Sequence, residues 1–222
     1  MFAASCTVCR AAAHGELRRR LGIAVRRRLH GTNGRWISSA MVTCPYFRWP
    51  DGLVAIRQSV FHSCTSLVEL ALPAPLTTIG QRAFHSCTSL VVLTLPTSLT
   101  TIDRWAFHSC TSLVKLTLPA SLTTIGQRAF HSCISLSSLT LPASLATIDE
   151  GTFHSCTSLV ELTLPASLAT IEADAFHSCA ALVDLTLPAS LTTIGEGAFE
   201  GCSFLSPAAS DAIRALPPRA ID

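Results

Sequence analysis

Phenylalanine recurs at positions 61, 84, 107, 130, 153, 176 and 199, each 23 residues after the last. Cysteine keeps the same step at 64, 87, 110, 133, 156, 179 and 202. So does the motif Leu-x-Leu-Pro, which ends at Pro73, Pro96, Pro119, Pro142, Pro165 and Pro188. A fixed period in the twenties restricts the chain to a solenoid, in which each repeat buries its apolar face only against its neighbours. Such a frame displays side chains, so the repeat says more about architecture than about chemistry.

Charge separates the first 50 residues from the rest. They hold nine Arg and one acid, Glu16, whereas residues 51–222 hold seven Lys/Arg against thirteen Asp/Glu. Arg18-Arg19-Arg20 and Arg26-Arg27-Arg28 lie among Ser and Ala. That composition is compatible with an organelle transit peptide, a solvated disordered tail, or a basic patch for nucleic acid or anionic lipid. It lacks the apolar run of a secretory signal. The longest uncharged body stretch, Ala129 to Ile148, contains Pro142, His131 and many Ser and Thr, so no transmembrane helix is expected. Seven of the ten Cys belong to one repeat column, so their number reflects copying and not a disulfide framework. Free thiols favour a reducing compartment. The expected location is therefore cytoplasmic, with an organelle open through the Arg-rich segment and the cell surface less favoured.

Within one repeat, Leu67-Val68-Glu69-Leu70-Ala71-Leu72 alternates as a strand with one buried face does. Leu70 and Leu72 point in; Glu69 and Ala71 point out. Pro73 has no ladder donor and ends the strand. Leu76 to Ile79 reads as a second short extended piece. Gly80, Asp103, Gly126, Asp149, Glu172 and Gly195 follow it, and Gly and Asp suit a helix N-cap. Ala83, Phe84 and Cys87 then share a face at helical spacing, which predicts a single helical turn. Phe should form a buried spine.

The register also reads the ends. Phe47, Trp49, Pro50 and Ile56 fall on Leu, Leu, Pro and Ile positions, which predicts a degenerate first rung starting near Met41. After Leu205 the strand pattern fails. Ser206-Pro207 offers an N-cap and first-turn proline, so a short helix around Ala208 to Leu216 is expected to cover the last rung with Ile213 and Leu216.

Ile-Gly-x-x-Ala-Phe-x-x-Cys-x-x-Leu-x-x-Leu-x-Leu-Pro-x-x-Leu resembles the 23-residue BspA-type leucine-rich repeat over about residues 41–206. The common leucine-rich pattern would place Asn or Cys where Pro75 stands and Leu where Thr77 stands, so the chain departs from that type. The resemblance implies a right-handed curved solenoid and a role in binding proteins or surfaces, with no catalytic motif. The expected fold is thus α/β: a horseshoe-like leucine-rich-repeat solenoid of about seven rungs, with a short strand and one helical turn per repeat. It divides into a basic, disordered segment (1–40), the solenoid (41–206), and a capping helix and tail (207–222).

Candidate chemistry is sparse. His62, His85, His108, His131, His154 and His177 each follow a buried Phe and should face outward on the convex side, where neighbours about 5 Å apart could share zinc. No carboxylate or Cys column accompanies them on that face, so they read as solvated residues. Cys6, Cys9 and His14 lack a fourth ligand at zinc-knuckle spacing. The repeated Cys read as small, inert core residues. There is no G-x-S-x-G, phosphate loop or H-E-x-x-H. No catalytic, cofactor or metal residue is therefore assigned, and an enzyme is not expected. Thr78 to Thr193 and Thr94 to Thr186 form two Thr ladders of the kind that binds ice, but on different strands of a curved body they do not make one plane.

The informative outward column is Glu69, Val92, Lys115, Ser138, Glu161 and Asp184, which takes five residue types on a uniform frame. Tyr46 and Arg48 extend it onto the first rung. It predicts recognition of a protein partner on the concave sheet; drift at a tolerant site gives the same pattern. The other readings are a structural or adhesive surface protein and, further off, ice binding. The repeat body is not expected to bind nucleic acid. On the convex side Arg57, Arg82, Arg104 and Arg128 precede Asp149, Glu150, Glu172, Asp174, Glu196 and Glu200, with Asp103 the only acid in the first half. This polarity predicts salt-sensitive head-to-tail self-association.

Overall fold

The computed structural model describes Trp49 and residues 52–216. They form a parallel-strand β-solenoid of about six turns. Each turn has two strand columns and a wall of tight turns. The short strands are Ala55–Ile56, Thr78–Ile79, Thr101–Ile102, Thr124–Ile125, Thr147–Ile148, Thr170–Ile171 and Thr193–Ile194. They pair in parallel as one group of four and one of three. The longer strands are Glu69–Ala71, Val92–Thr94, Ser138–Thr140 and Glu161–Thr163. Lys115 and Asp184 continue this column through single bridges. Equivalent residues always pair, Leu70 with Leu93 for example, so the 23-residue period is also the sheet register.

Proline sets the corner between the columns. It ends the longer strand, and its carbonyl then accepts from the leucine amide three residues on, as in Leu76 to Pro73 at 3.0 Å. Ser98 Oγ donates to the Leu76 carbonyl of the preceding rung at 2.7 Å, and Ser121, Ser144, Ser167 and Ser190 repeat the contact. Each polar side chain at the corner thus satisfies a carbonyl of the rung beneath.

The core runs the length of the solenoid. Phe61 through Phe176 are fully buried, and successive rings stack 4.9–5.5 Å apart with interplanar angles of 3–12° from Phe61 to Phe199. The strand spacing of about 4.8 Å makes such offset stacking unavoidable once the column is all Phe. Trp49 closes the first end. Its ring meets Phe61 edge-on at 6.0 Å and its Nε1 donates to the Ala71 carbonyl at 2.8 Å. Phe47 lies outside the described residues.

The expected helical turn is absent. Arg82 and Ser86 have φ of 54° and 60°, and equivalents recur along the wall, including Trp105, Ser109, Arg128, Ser132, Asp174 and Ser178. A left-handed residue every four positions cannot continue a right-handed helix. The segment is instead a chain of tight turns: the Ala83 amide donates to Gly80, His85 to Arg82 and Cys87 to Phe84. Between them the amides of Arg82, Phe84 and Ser86 donate to the carbonyls of Arg104, Ala106 and His108 in the next rung. Asp103 is accordingly no helix cap; its Oδ1 accepts from the adjacent Arg104 amide at 2.7 Å.

Among the described residues the one α-helix is Pro207–Ala215. Ser206 caps it, its hydroxyl accepting from the Ala209 amide at 3.3 Å. Ala209 is buried, and Ile213 and Leu216 pack on the core.

Candidate functional site

The longer strands build an outward face from three neighbouring columns. Glu69, Val92, Lys115, Ser138, Glu161 and Asp184 stand in unbroken parallel register, Glu69 opposite Val92 and onward to Asp184. All are exposed except Ser138, which is half-buried. Two residues toward the C-terminus, Ala71, Thr94, Thr117, Thr140, Thr163 and Thr186 form the second exposed column. One residue before the first lies the third: Val68, Val91, Val114, Val160 and Val183 are 37–50% exposed, with Ser137 between Val114 and Val160. The strand begins only after this position. The Val68 carbonyl accepts from both the Val91 and Val92 amides, at 2.8 and 3.3 Å, so two successive side chains face solvent before alternation starts. The face is therefore a valine stripe beside a column of changing charge. Tyr46 and Arg48 lie outside the described residues.

The turn wall carries the histidines. They are not independent solvated groups: the six rings stack 4.5–4.8 Å apart, nearly parallel, and all but His62 are half-buried. Each Nδ1 lies 2.8–2.9 Å from the hydroxyl of the next residue, a serine at positive φ. Parallel rings with Nδ1 already engaged do not converge on a shared ion. Among the described residues no group of His, Cys, Asp or Glu has the arrangement to hold a metal. Burial first, then the charges of His62, His108 and Arg82, pushes His85 down to about 4. Burial, then His108, His154 and Arg128, does the same to His131. Burial also lowers His108 and His154.

The cysteines do more than fill space. Each Sγ from Cys87 to Cys202 donates to the Phe carbonyl of the previous rung, at 3.0–3.3 Å. Burial raises the Cys110 and Cys156 thiols to about 12, far from the thiolate a nucleophile needs. The charged wall positions meet at one ion pair, Arg128 to Glu150 at 2.7 Å. Before it, Arg82 and Arg104 lie against Trp105, 4.5 and 5.4 Å from the ring centre. A shallow cleft of about 550 Å³ separates the last rung from the helix, lined by Phe199, Cys202 and Arg214 among others.

The family pattern described as the BspA type leucine rich repeat region matches in six copies, over residues 40–133 and 77–206. The chain belongs to the BspA-type leucine-rich repeat family. Its solved relatives include a leucine-rich repeat protein of T. pallidum, 37% identical with a TM-score of 0.72, covering 76% of this chain and 81% of that one. A leucine rich cell surface protein from Faecalibacterium prausnitzii is 35% identical with a TM-score of 0.66, covering 74% of this chain. A leucine-rich repeat protein from Bacteroides ovatus is 29% identical with a TM-score of 0.54, covering 67%. The alignments span 44% of each of the last two proteins. A comparison with curated proteins gave no match. Among the described residues no helix is long and apolar enough to cross a membrane. Nothing in these relatives supports the cytoplasmic expectation, and one of them is a surface protein.

In this BspA-type repeat the sequence marks the variable column but hides the valine stripe. Val68 reads as an inward partner of Leu70 and Leu72 only if alternation is extended one residue too far. Its recurrence at 91, 114, 160 and 183, directly before the variable position, is the signal that could have exposed it.

Proposed function

We propose that the chain is a non-catalytic scaffold that binds a protein partner on the concave face formed by its longer strands. The observation that carries this reading is the exposed valine stripe beside Glu69, Val92, Lys115, Ser138, Glu161 and Asp184. Ser137 occupies the same column as the valines, so the frame does not require an apolar residue there. Contiguous exposed apolar side chains edged by charge suit a protein interface. Affinity for a partner recovered from the source cell should fall at least tenfold when Glu69, Glu161 and Asp184 become Lys. Arg57→Gln on the opposite wall should leave it unchanged. Equal loss in both variants, or none in the face variant, refutes the reading.

The similarity to the F. prausnitzii surface protein favours one second reading, an adhesive protein displayed outside the cell. A tagged full chain removed from intact cells by external protease would support it; a tag cut only after lysis would oppose it.

A further inference from the structure

The turn wall is left open at its last rung. In each rung from Ser59 to Ser178, three alternate wall amides donate to carbonyls of the rung that follows. Those of Ser59, Arg82, Trp105, Arg128, Gly151 and Asp174 do so at 2.9–3.1 Å. The Phe61 to Phe176 column does so at 2.7–2.9 Å, and the Ser63 to Ser178 column at 2.7–2.8 Å. The equivalent donors in the last rung are Gly197, Phe199 and Gly201. Among the described residues their amides have no acceptor. All three residues line the cleft of about 550 Å³ between this rung and the helix, which is a usual size for a ligand site. An apolar group cannot satisfy an amide, so a ligand that dries this cleft has to bring acceptors with it.

The repeat also tells what kind of acceptor fits. The same amides in the earlier rungs run side by side along the solenoid axis, each to its own carbonyl about one strand spacing, roughly 4.8 Å, away. Donors in a row suit a row of carbonyls, whereas a single anion is best held by amides that converge on one point. Charge favours the same choice. Glu200 lines the cleft opposite in sign to Arg214, and the exposed Glu196 lies in the same rung, so there is no excess of positive charge for an anion. Leu205 and Ile213 supply apolar lining. Phe204, which follows the lining residue Ser203, is 67% exposed, so this end of the solenoid presents apolar surface as well as donors.

We propose that the cleft takes a short peptide segment of a partner protein, which adds one more course to the wall by main-chain pairing. Carbonyls at alternate residues of the segment accept from Gly197, Phe199 and Gly201, as in strand addition at a sheet edge. An apolar side chain of the segment lies against Leu205 and Ile213. A basic one stands over Glu200, because Glu200 occupies the place in its rung that His62 to His177 hold in the others. The site lies at the end of the wall and shares no residue with the strand face, so it does not depend on the role of that face.

The probe is a capped peptide of the chain's own wall, acetyl-Gln-Arg-Ala-Phe-His-Ser-amide, residues 127–132. Within the solenoid its Gln127, Ala129 and His131 carbonyls already accept from the Trp105, Phe107 and Ser109 amides. Amide hydrogen exchange of the full chain, read residue by residue by NMR, is the measurement. In the free chain Gly197, Phe199 and Gly201 should exchange at least tenfold faster than Asp174, Phe176 and Ser178. Saturating peptide should slow those three at least tenfold and leave Asp174, Phe176 and Ser178 unchanged. A peptide carrying His131→Glu should bind at least tenfold more weakly, a comparison made on the unaltered protein. The chain variant Ser210→Phe, which fills the cleft from the helix side, should abolish the slowing. No slowing by the peptide overturns the inference, and so does equal binding of the His131→Glu peptide. Slowing that persists in Ser210→Phe also overturns it, since the peptide would then lie elsewhere. Equal slowing by inorganic phosphate alone overturns it in favour of an anion site.

Discussion

Replacing Phe130 with alanine removes a fully buried ring that lies 5.3 Å from Phe107 and 5.5 Å from Phe153. Truncating a buried Phe costs about 3–5 kcal/mol, and more when the surroundings cannot collapse. Here they cannot: the Phe130 amide is fixed to Thr152 and the Phe107 amide to Ala129, so the rungs on both sides hold their spacing. Two stacked pairs are lost at once, each contributing roughly 0.5–1.5 kcal/mol beyond area burial. The upper half of the range is therefore expected. Phe199 is the internal comparison. It is only partly buried and has one stacked neighbour, Phe176 at 5.3 Å, so Phe199→Ala should cost roughly 1.5–3 kcal/mol. Urea denaturation of the full chain reads both. With an m-value of about 2 kcal/mol/M, Phe130→Ala should lower the midpoint by roughly 2–2.5 M. A fall in m alone would indicate that rungs beyond the lesion unfold separately, as a one-dimensional array permits. Equal losses at the two positions, or less than about 1 kcal/mol for Phe130→Ala, would refute the rigid-spine argument.

Acid should destabilise the histidine ladder. The folded-state values of His85 and His131 lie near 4, below the ordinary 6.5, so the unfolded chain binds more protons in between. Stability is full above about pH 6.5 and is lost as pH falls through 4; Asp149, raised by burial and by Glu172, acts weakly the other way. Thermal melts should show Tm falling between pH 7 and 4.5, less steeply in a His85→Gln, His131→Gln variant, and a flat profile in the native chain would contradict the burial of these rings. Gly151→Ala should cost about 1–3 kcal/mol, because φ is 58° and the new Cβ would meet Arg128 Cγ at 2.9 Å. A calorimetric melt unchanged by that substitution would remove the left-handed reading of the wall.

The spine and both strand columns were legible in the sequence because their signals are independent. Period two gives Leu70 and Leu72 inward, Pro73 gives the strand end, and the 23-residue step gives the register. The wall was not legible. Ala83, Phe84 and Cys87 fit one side of a helix as well as they fit two linked turns, because both bring residues three and four apart together. The left-handed column does contain Gly151 and Gly197, but Arg82, Trp105, Arg128 and Asp174 in the same column mask the cue. The histidines were legible as one column and not as a stack, since periodicity fixes where a side chain starts and not how deeply its ring lies. At the candidate site the sequence marked variation. Only the structure showed that the position before it is also exposed.

That distinction bears on what the variable column means. Several recurring polar side chains are tied to the rung beneath them: Ser98 to Leu76, Thr100 to Thr77, Cys110 to Phe84. A substitution there removes a hydrogen bond between neighbouring rungs, a net loss of about 0.5–1.5 kcal/mol. Among the described residues, Glu69, Lys115, Ser138, Glu161 and Asp184 make no side-chain hydrogen bond or ion pair, so the frame leaves this column free to vary. Freedom alone would produce any mixture of solvated residues. It does not produce five exposed valines in the adjacent column, where Ser137 shows that a polar side chain is accommodated. An apolar stripe in water is unfavourable at roughly 25 cal/mol per Å² until something covers it. The uncovered valines support the proposed partner-binding reading of this face, and under that reading the variable charges beside them set which partner lies across it.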